Sequence, residues 1–209
     1  MQNVAMKTIN HRWTRRDIVA GNSALDLVNT VSGWNHDAED WIPDVATFLD
    51  WARMGGLLDA HEKVDAVRYA EGRPATVERV LAAIKELRFA LWGLMESLEH
   101  RKAPRSCHLE VINEWMHRIS LSERIIVRFN KVGFAISPDI SVLELPGIRV
   151  TSAALSLLKS PSLASIKTCP GSDCGWKFVD QSRNGSRRWC DMAVCGNIAK
   201  ARQYRVRNK

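Results

Sequence analysis

Residues 169–207 read CPGSDCGWKFVDQSRNGSRRWCDMAVCGNIAKARQYRVR, and the cysteine spacing in this stretch decides how the C-terminal part folds. Two pairs with the spacing C-x4-C, Cys169 with Cys174 and Cys190 with Cys195, lie on either side of a fifteen-residue insert. Four thiolates can occupy the corners of a tetrahedron around one Zn²⁺, and they leave no open position for water or substrate. The spacing therefore predicts one structural zinc ion per chain.

Two other interpretations of the four cysteines remain open at this point. Two disulfides would need an oxidising compartment, and the chain has no export signal with a charged start, an apolar core and a cleavage site. An iron–sulfur cluster also accepts four cysteines, although its common spacings are tighter or irregular. The fifth cysteine, Cys107, is expected to be an ordinary helix residue.

The charge of the chain is concentrated at one end. Residues 1–159 contain 20 Lys+Arg and 20 Asp+Glu, so the whole net charge of +7 lies in the last quarter of the 209 residues. A neutral body with a cationic end is typical of proteins in which one part binds a polyanion and the other has a different role. We expect a cytoplasmic protein that does not enter a membrane, because no apolar run approaches the roughly 20 residues that a span needs.

The part before the cysteines is predicted to be mainly helical. Apolar residues recur at three- and four-residue steps from Pro74 to Leu98, which indicates one long core helix. Shorter helices are predicted from Pro43 to Met54, after Ser106, and from Pro146 to Leu158. The β-branched segments 124–129 and 134–137 favour a hairpin instead.

These patterns predict an α+β chain, with a mainly helical N-terminal domain that contains a small β-hairpin, followed by a small zinc-finger module with four cysteine ligands. Ser160-Pro161 ends the helical pattern. We therefore predict domains at residues 1–160 and 161–209. Because so short a module has little core of its own, we expect it to unfold without zinc while the body stays folded.

The cysteine-containing segment resembles the CGNR type of zinc finger over about forty residues. The resemblance lies in paired cysteines that flank a Trp-x-Phe-x-Asp and Ser-Arg-Asn core and an Arg-Arg-Trp-Cys approach to the second pair. The matching residues are Trp176, Phe178, Asp180, Ser182, Arg183, Asn184, Arg187, Arg188, Trp189, Cys190, Met192, Cys195, Gly196, Asn197 and Lys200. Ile198 departs from the pattern, since the family usually has arginine there.

The N-terminal part resembles the ABATE domain that commonly precedes this finger. The resemblance lies in Gly21-Asn22-Ser23-Ala24-Leu25-Asp26-Leu27-Val28-Asn29-Thr30 and, more weakly, in Leu87-Arg88. Proteins of this architecture are regarded as transcription regulators. The resemblance thus implies a finger that binds DNA and a larger domain that senses a ligand.

The basic residues of the module support the same expectation independently. Candidate DNA contacts are Arg183, Arg187, Arg188, Lys200, Arg202, Arg205 and Arg207, with Lys209 at the end of the chain. Arginine is suited to phosphate and to guanine because its planar fork donates two parallel hydrogen bonds. RNA remains open, because phosphate contacts do not distinguish the two polymers. A merely solvated basic face is the alternative.

The three aromatic residues beside the cysteines allow two interpretations. Trp176, Phe178 and Trp189 could stack on unpaired bases. We favour a structural role instead, because a module of forty residues cannot build a core from aliphatic side chains alone.

In the body, Asp26, Asn29 and Thr30 share one face if they lie on a helical turn, and they could line a ligand pocket with Arg88. The alternative is a buried pair of Asp26 with Arg88 that only stabilises the fold. An enzyme is not expected, because the chain has no phosphate loop, no nucleophile elbow and no H-E-x-x-H motif.

The sequence thus favours a DNA-binding transcription regulator whose N-terminal domain senses a small molecule or a partner. The alternative is a zinc-stabilised module that docks an acidic protein without binding nucleic acid. A homodimer is compatible with either function.

Overall fold

A computed structural model of the chain describes residues 6–34, 38–137 and 139–208. Its helices are Ser23–Val28 (α1), Val45–Met54 (α2), Ala60–Ala70 (α3), Pro74–Glu99 (α4), Ser106–Ser122 (α5), Leu145–Leu158 (α6) and Asn197–Arg207 (α7). Its strands are Lys7–Thr8 (β1), Val31–Ser32 (β2), Glu39–Asp40 (β3), Glu123–Arg128 (β4), Lys131–Ile136 (β5), Ile166–Thr168 (β6) and Lys177–Val179 (β7). The predicted fold class is confirmed.

Helix α4 forms the centre of the body. Pro74 opens its first turn, where the missing N–H costs nothing, and the apolar stripe that follows is buried. The stripe packs against α1, α5 and α6. Gly147 lets α6 approach closely, since a Cβ at this position would lie 2.3 Å from the Trp115 ring.

Strands β4 and β5 form the predicted hairpin, and it projects from the body. Ile125 lies opposite Phe134 and Val127 opposite Val132. The two turn residues, Phe129 and Asn130, both have positive φ, which is rare for a bulky aromatic residue. Strand β5 begins at Lys131, three residues earlier than predicted, because this two-residue turn is tighter than the four-residue loop expected from the sequence.

The other predicted helices form with small shifts. Helix α2 begins at Val45 rather than Pro43, because the Asp44 side chain accepts a hydrogen bond from the Thr47 N–H and caps the helix. Helix α3 was not predicted, since only Ala66 in it is buried and no apolar stripe marks it. The sheet β1-β3-β2 was also missed, because strands of two residues are too short for an alternating pattern.

The C-terminal module begins with the antiparallel pair of β6 and β7, in which Lys167 lies opposite Phe178. Strand β7 packs against α1, and the Val179 N–H donates to the Ala20 carbonyl at 2.8 Å. The module therefore contacts the body along strand β7, in addition to its covalent connection to α6. Among the described residues, no helix has the length and apolar content to cross a bilayer.

Candidate metal centre and its basic helix

The four cysteines of the two C-x4-C pairs meet at one point. Their sulfurs all lie within 4.8 Å of one another. The Cys190 sulfur is 3.5 Å from that of Cys174 and 3.6 Å from that of Cys195. A tetrahedron of sulfurs at about 2.3 Å from zinc has edges of about 3.8 Å. The predicted ligand set therefore fits one structural zinc ion.

The sulfur distances also decide between the alternatives. A disulfide needs an S–S distance of about 2 Å, and all four cysteines are free thiols. A tetrahedron of this size encloses a single ion, so a polynuclear iron–sulfur cluster does not fit. Hydrogen bonds from the other three thiols lower the pKa of Cys169 well below its ordinary value. The neighbouring thiols raise the pKa of Cys174 and of Cys190, so a bound metal ion would have to displace protons from the cluster.

Local turns hold each pair of ligands. In the first pair, the Cys169 N–H donates to the Trp176 carbonyl at 2.7 Å, and the Cys174 N–H donates to the Gly171 carbonyl at 3.2 Å. A Cβ at Gly171 would lie 3.0 Å from the Cys174 Cβ, so a side chain at this position would crowd the metal ligands. In the second pair, Cys195 sits in the turn Met192–Gly196, which leads directly into α7. A metal bound here would fix the start of α7.

An ion pair beneath the loop between the cysteine pairs organises that loop. The Lys167 ammonium donates to Asp180 at 2.6 Å and also to the Gly185 and Arg187 carbonyls. Asp180 also accepts hydrogen bonds from the Ser182 N–H and hydroxyl. The Lys167 bond is the main reason why the pKa of Asp180 is well below its usual range. Within the Trp-x-Phe-x-Asp and Ser-Arg-Asn motif, Asp180 and Ser182 therefore form hydrogen bonds that hold the loop in place.

Arg187 is the candidate DNA contact whose guanidinium already has several partners within the chain. Its guanidinium donates to the Val19 carbonyl at 2.9 Å and to the Trp189 carbonyl at 3.1 Å, and it also contacts the Cys190 carbonyl. The guanidinium lies 4.4 Å from the centre of the Phe178 ring. These donors already serve backbone oxygens of the body and the module. Arg187 therefore holds the two parts together, and a contact of this residue with DNA stays a prediction.

The other six cations have a different environment. Arg183, Arg188, Lys200, Arg202, Arg205 and Arg207 are all exposed. Within the described residues, only Arg202 of these six forms an ion pair, with Asp173 at 3.5 Å. Every residue of α7 is exposed except the half-buried Ala199. Lys209 lies outside the described residues.

Two of the three aromatic residues beside the metal ligands are core residues. Phe178 is fully buried, and Trp176 is buried with its indole N–H donating to the Val31 carbonyl at 3.2 Å. Neither ring has a face available for a base. Trp189 is half-buried, with the Arg188 guanidinium 5.1 Å from the centre of its ring.

Asn29 connects the body to the module. Its side-chain oxygen accepts from the Lys177 N–H and its amide donates to the Lys177 carbonyl, both at 2.8 Å. The side chain thus pairs with β7 as a neighbouring strand would. Asp26 is buried as well and accepts from the Ala20 N–H at 2.9 Å. The structure places both residues at the junction of body and module.

Asp26 does not pair with Arg88, which was one of the two interpretations that the sequence left open. Arg88 donates instead to Asp40 at 2.7 Å and to the Thr30 hydroxyl at 3.1 Å. Burial alone would raise the pKa of Asp40, but the bonds from Arg88 and Lys85 lower it. Helical spacing brings Asp26 and Thr30 to one face of the chain, but it does not predict which residue packs against each.

Lys177 is a key residue that the sequence analysis missed. It is completely buried, and its ammonium donates at 2.8 Å to each of Glu96, Glu99 and Thr168. Burial would raise the pKa of Glu99, but the hydrogen bonds from Lys177 and Thr168 lower it. The one sequence signal was its position between Trp176 and Phe178, two large apolar residues in an extended segment.

Two family models match the chain. The model described as "ABATE: Putative stress-induced transcription regulator" matches residues 21–129, which is just over half of the chain. The model described as "CGNR zinc finger" matches residues 165–208. Both matches confirm the resemblances seen in the sequence, and neither description names an enzymatic activity. A comparison with curated protein sequences finds no match.

Proposed function

The chain belongs to the ABATE family and carries a CGNR zinc finger, and we propose from this premise that it is a transcription regulator whose finger binds DNA. The proposal rests on the position and the charge of helix α7. This helix begins at the metal cluster, is exposed along its length, and bears Lys200, Arg202, Arg205 and Arg207. An α-helix of this kind fits the major groove of B-DNA.

Two arginines of the loop complete the proposed DNA surface. Arg183 and Arg188 are exposed on the segment between the cysteine pairs. Arg188 follows Arg187, which several backbone carbonyls hold in place, and it precedes the ligand Cys190. Such support gives the positional precision that reading a base edge requires. We therefore assign phosphate contacts to α7 and base contacts to Arg188.

The test is binding of the zinc-loaded chain to labelled DNA at several salt concentrations. If four to six cations engage phosphates, log K should fall against log salt with a slope of about −0.9 per contact. Arg188→Ala should reduce discrimination between a selected site and random DNA by about 1 to 3 kcal/mol. Arg187→Ala should instead lower folding stability, because its partners lie within the chain.

The alternative is a module that docks an acidic protein, and the same experiment separates it from DNA binding. Ile198, Tyr204 and Val206 are exposed beside the cations of α7, and such apolar side chains would suit a protein groove. No affinity for DNA at low salt, together with retention on an acidic protein surface, would favour docking. An RNA competitor added to the titration tests the choice between the two nucleic acids.

For the body, we propose that residues 1–160 sense a small molecule or a partner. A large cavity beside α4 and α5 supports this proposal. Asp26, Asn29 and Thr30 do not line that cavity, whereas Arg88 does. A homodimer and a cytoplasmic location stay predictions, which light scattering and fractionation of cells would test.

A further inference from the structure

The neutral charge of the body is the sum of a basic N-terminal segment and an acidic remainder. Residues 1–17 contain four Lys+Arg and one Asp+Glu, whereas residues 18–159 contain 16 Lys+Arg and 19 Asp+Glu. Arg12, Arg15 and Arg16 of this segment are exposed, and none of them forms an ion pair within the described part of the chain. Their guanidinium groups therefore keep donors for an external anion.

Aromatic residues anchor the segment to the body. Trp13 is buried, and its indole N–H donates to the Thr47 carbonyl at 2.9 Å. The His11 ring stacks on Trp41, with 3.9 Å between the ring centres. Arg12 lies between these two anchors in the sequence, so its exposed side chain extends from a backbone that is held in place.

A hydrogen-bonded turn, Arg15–Asp17, presents the other two arginines. Asp17 accepts from the Thr14 N–H at 2.6 Å and from the Thr14 hydroxyl at 2.9 Å, and that hydroxyl accepts from the Arg16 N–H at 3.3 Å. Asp17 is buried, whereas Arg15 and Arg16 are exposed. Because the backbone of the turn is already ordered, an anion that binds here has to order only the arginine side chains.

This turn lies beside the finger. Arg16 lines a cleft of about 460 Å³ together with Arg188 and Arg202 of the finger. The Val19 carbonyl, just after the turn, accepts from Arg187 at 2.9 Å, which joins this part of the body to the loop that carries Arg188. Arginines of the body and of the proposed DNA surface thus face the same cleft.

Three acidic residues line this cleft as well, and each has a partner within the chain. Asp17 accepts from Thr14, and Asp173 lies 3.5 Å from Arg202. Asp191 accepts from the Ala193 N–H at 2.6 Å. The basic segment and the cleft together still contain two more arginines than aspartates, so this surface is positive.

The exposed residues of the segment favour a nucleic acid over a protein. Between residues 11 and 17 the exposed side chains are three arginines and one threonine, with no exposed apolar residue among them. Protein interfaces have an apolar core, whereas DNA interfaces are more polar and much more positively charged. The planar fork of arginine also pairs with phosphate through two parallel hydrogen bonds.

We propose that Arg12, Arg15 and Arg16 extend the DNA surface from the finger onto the body and contact phosphates of the duplex that α7 and Arg188 engage. Phosphate contacts at two separate points fix the register and orientation of a protein on a duplex. The inference rests on the proposed function and deepens it, because it gives the body a direct part in DNA binding.

The experiment measures binding of the zinc-loaded full chain to a labelled duplex by fluorescence anisotropy at several salt concentrations. Arg15→Gln and Arg16→Gln should each lower the slope of log K against log salt by about one, and the variant with all three arginines changed should lower it by about two to three. A selected site and random DNA should be weakened alike, since phosphate contacts carry no sequence information. A wild-type slope in the triple variant overturns the proposal.

Arg79→Gln is the matched control, because Arg79 is an exposed arginine near the start of α4. Glu99, at the other end of this helix, contacts the finger through Lys177. A helix rises 1.5 Å per residue, so Arg79 lies about 30 Å from that contact, and its change should leave the slope as in the wild type. Equal falls in Arg79→Gln and Arg16→Gln would show an effect of net charge alone and overturn the proposal. All changed side chains are exposed, so the melting temperatures should stay at the wild-type value.

A footprint on the selected duplex locates the contact. Hydroxyl-radical cleavage should show that the triple variant loses protection at one edge of the wild-type footprint and keeps the rest. An unchanged footprint, or a loss spread evenly over it, overturns the assignment to the body.

The outcomes for this inference and for the proposed function can be told apart. No affinity of the wild-type chain for DNA at low salt would remove the proposed function and this inference together. DNA binding by the wild type with an unchanged slope in the triple variant would remove this inference alone. Weaker binding of the triple variant to an acidic protein, with unchanged binding to DNA, would overturn the proposal in favour of protein docking.

Discussion

The zinc finger has two sides that differ sharply in their exposure to solvent. Strand β7 is buried, with Lys177, Phe178 and Val179 between 0% and 2% exposed. Helix α7, which follows the same metal cluster, has no buried residue. The buried side joins the finger to the body through Asn29 and Ala20, and the exposed side remains for a partner. The finger is therefore fixed to the body along β7, whereas α7 makes no such contact through a buried residue.

The strongest test of this comparison is removal of the metal. Cys190→Ser should abolish zinc binding, measured by elemental analysis, and remove a stabilisation on the order of 10 kcal/mol from the module. The sequence alone suggested that the body would stay folded. Since β7 pairs with Asn29 and buries Lys177, we now expect the body to lose stability as well, seen as a lower melting temperature of the helical signal.

Cys107→Ser is the control for metal removal, because Cys107 lies on α5 outside the cluster and should keep a full complement of zinc. A body that melts at the wild-type temperature after zinc loss would show that the two sides of the finger are independent.

The next largest effect should come from Lys177→Met at the buried junction. The change leaves Glu96 and Glu99 without their cation, and breaking a buried ion pair costs about 3 to 5 kcal/mol. We expect the lower end, about 3 kcal/mol in urea unfolding, because both carboxylates keep some contact with water. Lys63→Met removes a more exposed pair with Asp50 and should cost less than about 1 kcal/mol. Equal losses in the two variants would argue against a buried junction.

Asn29→Ala should have a somewhat smaller effect at the same junction. It leaves the N–H and carbonyl of Lys177 without partners in a buried place, which should lower the free energy of unfolding by about 2 kcal/mol. A role in ligand binding alone would predict less than about 1 kcal/mol. Asn113→Ala on the exposed face of α5 is the matched control. If the Asn29→Ala protein is as stable as the wild type and its ligand binding is altered, Asn29 belongs to the ligand site and not to the junction.

Asp26 makes stability at the junction depend on pH. Burial raises the pKa of its carboxyl from 3.8 to about 7, although hydrogen bonds from Ala20 and Val19 oppose the change. The folded chain then holds a proton that the unfolded chain has released, so the contribution of this group is full below about pH 4 and is lost as pH rises towards 7. Asp26→Asn should gain stability over the wild type by on the order of 1 kcal/mol per pH unit across that window. Parallel stability curves of the two proteins would refute the shift.

The exposed and buried sides also differ in how far the sequence could predict them. The metal ligands were predictable because zinc chemistry restricts both residue type and spacing. The exposed cations were predictable because charge composition needs no knowledge of packing. The junction between the body and the finger was not predictable, since contacts such as that of Asn29 with Lys177 join positions 148 residues apart. The same limit explains why the sequence did not reveal the contacts of Arg187 within the chain, and why it left a pair of Asp26 with Arg88 open.

The smallest change in stability should come from Lys200→Ala on α7. Lys200 is exposed and forms no ion pair within the described residues, so its loss should alter folding stability by less than about 0.5 kcal/mol. If it contacts a phosphate, the same variant should lower the slope of log K against log salt by about one and weaken all DNA sequences alike. Lys131→Ala, an equally exposed cation on the β4–β5 hairpin, is the control for net charge and should leave the slope unchanged. A slope that falls equally in both variants would mean that overall charge, and not α7, attracts the polyanion. A fall confined to Lys200→Ala would show that the exposed side of the finger binds the polyanion, whereas the buried side only stabilises the fold.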